Sequence, residues 1–351
     1  MTIKQQKGLT IIEVMIALTL SLILTVGLTQ IFVSNSQTFR VAEASARTQE
    51  TGRLSTMIVS REVRNAGYWG CLGTDGLQAG RLNSILNESG FDVSALLRGL
   101  DADDGTGPGG SDRISLGGVS GDTAISVTFQ PSQQAANLQV SDNSTFNEND
   151  ILIVTNCKQG DVFQVTNVNS SNDVVVHNAG SVSGGPGNYT QQLSTDYNDD
   201  PDGASIFRPR QFRFYLSDNA TTGNRELVMD GVSIQGSVTG TFFSPVALVE
   251  NVQNFQVQLG VDSNDDGQVD SWEDPAGSGT TAGRTQADNS VAVRMSYLVR
   301  SPEDGVTDGG QRYCYPGWVD CDATNSWSQA SAGDTYLYRV YTATTAMRNR
   351  L

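Results

Sequence analysis

The start of this chain constrains its fold more than any other part. A short polar leader carrying Lys4 and Lys7 ends at Gly8, and the 25 residues from Leu9 to Val33 then hold one ionisable side chain, Glu13. At helical rise such a run is roughly 37 Å long, enough to cross the ~30 Å hydrocarbon core of a bilayer. The cationic leader is expected to stay cytoplasmic while the remainder crosses. An ordinary secretory signal has a shorter apolar region ending in small residues at the cut; here Ser34-Asn35-Ser36 follows. A plain anchor leaves Glu13 unexplained, because an acid in an apolar helix costs about 2.5 kcal/mol or more near the bilayer centre. A cut between Gly8 and Leu9 supplies a partner, a new α-amine four residues away and on the same helix face. The amine of a neighbouring subunit serves equally.

Gly8 followed by Leu9-Thr10-Ile11-Ile12-Glu13-Val14-Met15 resembles the type IV prepilin signature of type IV pilins and type II secretion pseudopilins. The resemblance implies that a prepilin peptidase cuts after Gly8 and methylates Leu9, which stands where the family usually has Phe. It also implies that Glu13 is needed for subunit assembly. After Val33 the chain turns polar without losing helical character. Phe39, Ala42 and Ala46, and then Leu54, Met57, Ile58 and Arg61, recur at three and four residues, the mark of an amphipathic helix. Its first half is expected to pack on neighbouring subunits and its second half on its own domain. Gly27 and Gly52 read as soft points, since an interior glycine costs about 1 kcal/mol, and Gly67 reads as the end of the helix. The aromatic exit Ala66-Gly67-Tyr68-Trp69-Gly70-Cys71 and the basic tail Arg348-Asn349-Arg350-Leu351 resemble the PilW type of minor pilin.

Beyond the helix, Val- and Ile-rich runs bounded by Gly, Asn, Asp and Ser predict strands: 113–116, 124–129, 150–156, 161–168, 173–177, 205–217, 226–229, 246–261, 291–300 and 335–344. Residues 101–111 and 180–203 read as Gly- and Asp-rich loops, the second holding Asp196, Asp199, Asp200 and Asp202 as solvated acids. The fold class is therefore α+β: a leader (1–8), a membrane and filament-core helix (9–33), its amphipathic continuation (34–66), and a large antiparallel β-rich extracytoplasmic domain (67–351). The net charge of −16 disfavours nucleic acid as a partner.

One loop carries a metal-ligand pattern. Asp262, Asn264 and Asp266 take positions one, three and five of an EF-hand calcium loop, and Gly267 takes six. Gln268 offers its carbonyl at seven, Val269 fills eight, Asp270 stands at nine and Glu273 is the bidentate ligand at twelve. The alternate spacing aims successive oxygens at one hard cation, so structural calcium is the expected cofactor. The competing reading is an acidic hairpin loop, because a strand precedes it and no EF-type helix flanks it. The four cysteines suit an oxidising compartment. Cys314 and Cys321, around a Pro-Gly turn, are expected to pair locally and Cys71 with Cys157, although three connectivities are formally open. A zinc site has no CxxC or neighbouring histidine to support it. His177, the single histidine, reads as an incidental strand-end residue. Nucleophile-elbow, zinc-protease, phosphate-loop and dinucleotide motifs are absent from the sequence, so no enzyme activity is expected.

The resemblance implies an inner-membrane prepilin with a single span and its C-terminal domain in the periplasm. Its partners would be the prepilin peptidase, the inner-membrane assembly machinery, and other minor and major pilins. It would prime pilus growth for twitching motility and stay at the tip. The alternatives are a tip adhesin that uses the β domain for cell adhesion, and a minor pseudopilin of type II secretion.

Overall fold

The computed structural model describes residues 10–72, 80–87, 99–119, 124–181, 185–198, 203–233 and 245–350. Gly8, Leu9, Asp199, Asp200 and Asp202 lie outside the described residues. One helix runs unbroken from Ile11 to Asn65, 55 residues, or about 80 Å. Nothing covers its first three-fifths: residues 11–43 are exposed throughout. It ends where expected. Ala66 leaves the helical region, and Gly67 adopts φ 73° while its N–H donates to the Gly117 carbonyl at 2.9 Å.

The buried face of the helix keeps part of the expected stripe, with Leu54 and Ile58 packed against the core, but is centred on smaller residues. Ala44, Thr48, Gly52, Ser55, Val59 and Val63 are buried, whereas Phe39 and Met57 are 69% and 52% exposed. The face is built from small residues because it lies flush against a sheet. A Cβ on Gly52 would stand 2.3 Å from the Tyr341 ring. Gly52 is therefore a packing contact rather than a soft point. Gly27 has open space around it.

Two antiparallel sheets sandwich the main core with this helix. A four-stranded sheet has the spatial order Ser271–Glu273, Val252–Val261, Ser290–Arg300, Tyr338–Ala346. A five-stranded sheet runs Val246–Glu250, Arg225–Ser233, Pro209–Asp218, Ser111–Val119, Leu100–Gly107. Val59, Val63, Ile114, Phe214, Phe255, Met295 and Tyr297 meet between the layers. The expected loop at 101–111 is instead mostly a hairpin strand, Leu100–Gly107 paired with Ser111–Val119. Across the hairpin Asp103 pairs with Arg113 at 2.5 Å. The long run 246–261 breaks at Asn251, whose φ of 65° turns the chain from one sheet into the other.

The eight-stranded sheet is an insertion. Ser111–Val119 and Pro209–Asp218 are paired neighbours, Val119 opposite Pro209. Between them the chain makes seven strands of a second sheet, from Ile125–Phe129 to Ala204–Phe207; the short Leu82–Ser84 adds the eighth, parallel to Gly160–Gln164. The expected run 205–217 breaks at Arg208 as the chain passes back to the five-stranded sheet. The insertion has its own core, with Leu138, Leu152, Phe163, Val175 and Ile206 among its members. It joins the rest at the end of the helix farthest from the leader. Val119 N–H donates to the Tyr68 carbonyl at 2.7 Å, Cys71 bonds to Cys157, and Trp69 packs with Ile151, Ile153 and Phe207.

Candidate functional site

The helix begins in a capping box. Thr10 Oγ1 accepts from the Glu13 N–H at 3.3 Å, and Glu13 Oε2 accepts from the Thr10 N–H and hydroxyl, both at 3.0 Å. The acid thus satisfies helix-end donors that have no intrahelical partner. The hydroxyls further along the apolar run are satisfied within the helix: Thr19, Ser21, Thr25 and Thr29 donate to carbonyls four residues back. Such internal closure is what a helix in hydrocarbon requires. The helix is long and apolar enough to cross a membrane.

The acidic loop forms the turn between Val252–Val261 and Ser271–Glu273, which pair as a hairpin. Its first half is organised around the Asp262 carboxylate. Asp262 Oδ1 accepts from the N–H groups of Asn264, Asp265 and Asp266, and Oδ2 from Gly267 at 2.7 Å. Gly267 adopts φ 79°, the left-handed turn for which glycine is suited. Gln268 donates its N–H to Asp266 Oδ1. The second half is engaged elsewhere. Asp270 Oδ2 accepts from Ser263 N–H and Oγ, and Glu273 accepts from Ser271 Oγ and, at 3.1 Å, from Gln286 Nε2. Among the described residues no three histidine, cysteine or acidic side chains converge as a metal site.

The disulfides are Cys71–Cys157 and Cys314–Cys321, and no cysteine is free. The first fastens the helix exit to the inserted sheet and the second closes the local turn. His177 is wholly buried with its ring 4.9 Å from Phe163. It directly follows the strand Val174–Val176, at the strand end as expected, and burial lowers its pKa to about 4, so it is neutral at physiological pH.

Two arrangements give no sequence signal. Arg294 lies between the rings of Trp272 and Trp318, 4.8 and 4.9 Å from their centroids, and joins the acidic hairpin to the Cys314–Cys321 turn. Its partners lie 22 and 24 residues away in sequence, so no local spacing marks them. Asp161, Ser194 and Tyr197 meet inside the inserted sheet; there Asp161 falls in an ordinary strand pattern.

An exposed apolar N-terminal helix continuing into a helix packed on antiparallel sheets is the architecture of a pilin. The comparisons with known proteins are specific on this point. Residues 213–349 match the family described as type IV pilus-assembly protein W, and residues 3–29 match the prokaryotic N-terminal methylation motif. Over these residues the chain is similar to the PilW-type minor pilins, and its N-terminus carries a prepilin signature. No curated protein and no solved structure matches it. Neither family match covers residues 30–212, which include the inserted strands.

Proposed function

We propose that this protein is a minor pilin that primes type IV pilus assembly and stays at the filament tip. The attachment of the inserted sheet at the leader-distal end of the helix carries this reading. Successive subunits of a shaft stack along the helix direction, so bulk at that end hinders a subunit placed above it. At the tip there is no such subunit. Processing at Gly8/Leu9 frees the amine of Leu9, and Glu13 exchanges its Thr10 cap for the amine of its own or a neighbouring chain. The prepilin is held in the inner membrane with the β domain periplasmic; its partners are the prepilin peptidase, the assembly machinery and other pilins. In cells, Glu13→Ala should abolish recovery of the protein in sheared pili, and deletion should reduce pilus number. Unchanged incorporation of Glu13→Ala would refute the assembly role. Normal pili that fail to attach in a deletion strain would favour the adhesin reading, which the distal insertion also supports.

The loop 262–273 is proposed as a structural calcium site. Asp262, Asn264, Asp266, Asp270, the Gln268 carbonyl and Glu273 would hold the ion, Glu273 releasing Gln286 to do so. Calcium should raise the melting temperature of the purified protein and Asp266→Ala should remove the rise; an identical melt in excess chelator refutes the site.

A further inference from the structure

A cleft of about 350 Å³ lies where the helix leaves the β domain. One wall is helical: Phe32, Val33, Ser36, Gln37 and Arg40. The other is Gly305, in the loop that follows Ser290–Arg300. This loop is held in place. Gly305 adopts φ 69°, its N–H donates to Thr335 Oγ1 at 2.9 Å, and Val306 and Thr307 donate theirs to the Thr335 carbonyl at 3.0 and 2.9 Å. Val306 is buried with Leu337 against Ala44 of the helix. The β domain thus shares a cleft with Phe32 and Val33, the end of the apolar run.

The helical wall changes character along its axis. Phe32 is 74% exposed and, like Val33, apolar; Ser36 and Gln37 are polar and neutral; Arg40 is cationic and exposed. Val33 and Arg40 are roughly 10 Å apart along the helix, and helical side chains lean toward the N-terminus. With Val33 at the edge of the hydrocarbon, that lean carries the guanidinium back toward the polar zone of the bilayer, which is about 5–7 Å deep on each side. Among the described residues no ion pair holds Arg40. Beside Gly305 stand two exposed acids, Glu303 and Asp304. Glu303 lies 3.9 Å from Arg47, which Glu43 already holds at 2.9 Å.

This order of groups selects the occupant. Apolar wall, polar wall and cation follow one another as acyl chain, ester and phosphate do in a phospholipid. The phosphate suits the open guanidinium of Arg40. The acids on the opposite side then discriminate between headgroups. A lipid of net negative charge brings nothing to pair with them. A quaternary ammonium brings charge without N–H donors, whereas a primary ammonium brings charge and three donors.

We propose that this cleft binds a zwitterionic phospholipid with a primary-ammonium headgroup, its phosphate on Arg40 and its ammonium on Asp304 and Glu303. The proposal rests on the helix spanning the membrane and concerns the subunit while it is held there. The full chain is reconstituted in nanodiscs containing phosphatidylethanolamine, phosphatidylcholine and phosphatidylglycerol in equal amounts with identical acyl chains. Lipids retained on release are then counted by native mass spectrometry. The ethanolamine lipid should be enriched about threefold over each of the others, the scale of one exposed ion pair. Arg40→Gln should lower its retention, and Glu303→Gln with Asp304→Asn should bring it to the level of the choline lipid. All three positions are exposed, so neither variant threatens the fold. Lipids retained in the supplied proportions, enrichment of the glycerol lipid, or an ethanolamine enrichment unchanged in either variant overturns the proposal. A chain that fails to enter the nanodiscs refutes the span itself and the proposal with it, whereas equal retention on an inserted chain refutes the proposal alone.

Discussion

The contact between the helix and its sheet makes a prediction whose sign opposes helix propensity. Gly52 lies in the helix interior, where glycine to alanine ordinarily gains about 1 kcal/mol. Here a Cβ would meet three atoms of the Tyr341 ring at 2.3, 2.4 and 2.6 Å, one of them Cγ, so the ring cannot clear the methyl by moving only its tip. Overpacking of this kind costs about 1–3 kcal/mol. The balance is a net loss of about 1 kcal/mol, with a fall in melting temperature of roughly 2 °C for a domain of this size. Near-UV circular dichroism melts of the full chain in micelles would measure it. Gly27→Ala is the control: nothing lies within 4 Å of that position, so the β domain should melt as before. Adding Tyr341→Ala to Gly52→Ala should remove the clash, giving a favourable coupling between the two sites. A raised melting temperature for Gly52→Ala alone would show that the helix does not lie flush on the Tyr338–Ala346 strand, and the reasoning would fail.

Two further outcomes follow from the same structure. The Cys71–Cys157 bridge spans 86 residues and Cys314–Cys321 only 7, so on loop-closure entropy they contribute about 4–5 and 2–3 kcal/mol respectively; replacing the first pair by serine should lower the urea midpoint more than replacing the second, and the reverse order would count against the entropic account. Asp112 is 1% exposed and accepts from Gly105 N–H at 2.9 Å and Val257 N–H at 2.7 Å, and burial with Asp104 nearby pushes its pKa up to about 7. The folded state then binds more protons than the unfolded state between about pH 4 and pH 7, so this carboxyl makes stability fall as pH rises through that window. Asp112→Asn should flatten that slope in denaturant titrations, whatever its effect on absolute stability; an unchanged slope would refute the assignment.

Legibility in the sequence followed the range of the forces involved. The helix, its membrane half and its end were legible because hydropathy, capping and glycine act within a few residues. Most strands were legible for the same reason, since alternation and turn residues are local. The small residues of the helix face were not legible, because the contact that requires Gly52 is made with Tyr341, some 290 positions away. The hairpin at Leu100–Gly107 was misread because its Asp and Gly residues mimic a loop, while Arg113 across the strand pair supplies the charge that makes a buried Asp103 tolerable. Both disulfides were legible from turn chemistry and elimination. The cavity lined by Asp161 was not, since its members come from four separate segments and none is unusual alone.

The placement of the insertion explains how one chain combines a filament subunit with a large additional sheet. Because Val119 and Pro209 are already paired across neighbouring strands, a detour between them opens no gap in the five-stranded sheet; insertions at adjacent chain ends are tolerated for this reason. The detour is then fixed rather than tethered. Arg208 at its exit makes a 2.6 Å ion pair with the wholly buried Asp150 inside it, Cys157 ties it to the helix exit, and Glu62 in the last turns of the helix faces Arg210 at 3.5 Å just beyond it. A load applied to the insertion would therefore pass directly into the C-terminal end of the long helix, without crossing the four-stranded sheet. The apolar half of the helix, exposed throughout, is thereby left free of any demand made by the inserted sheet.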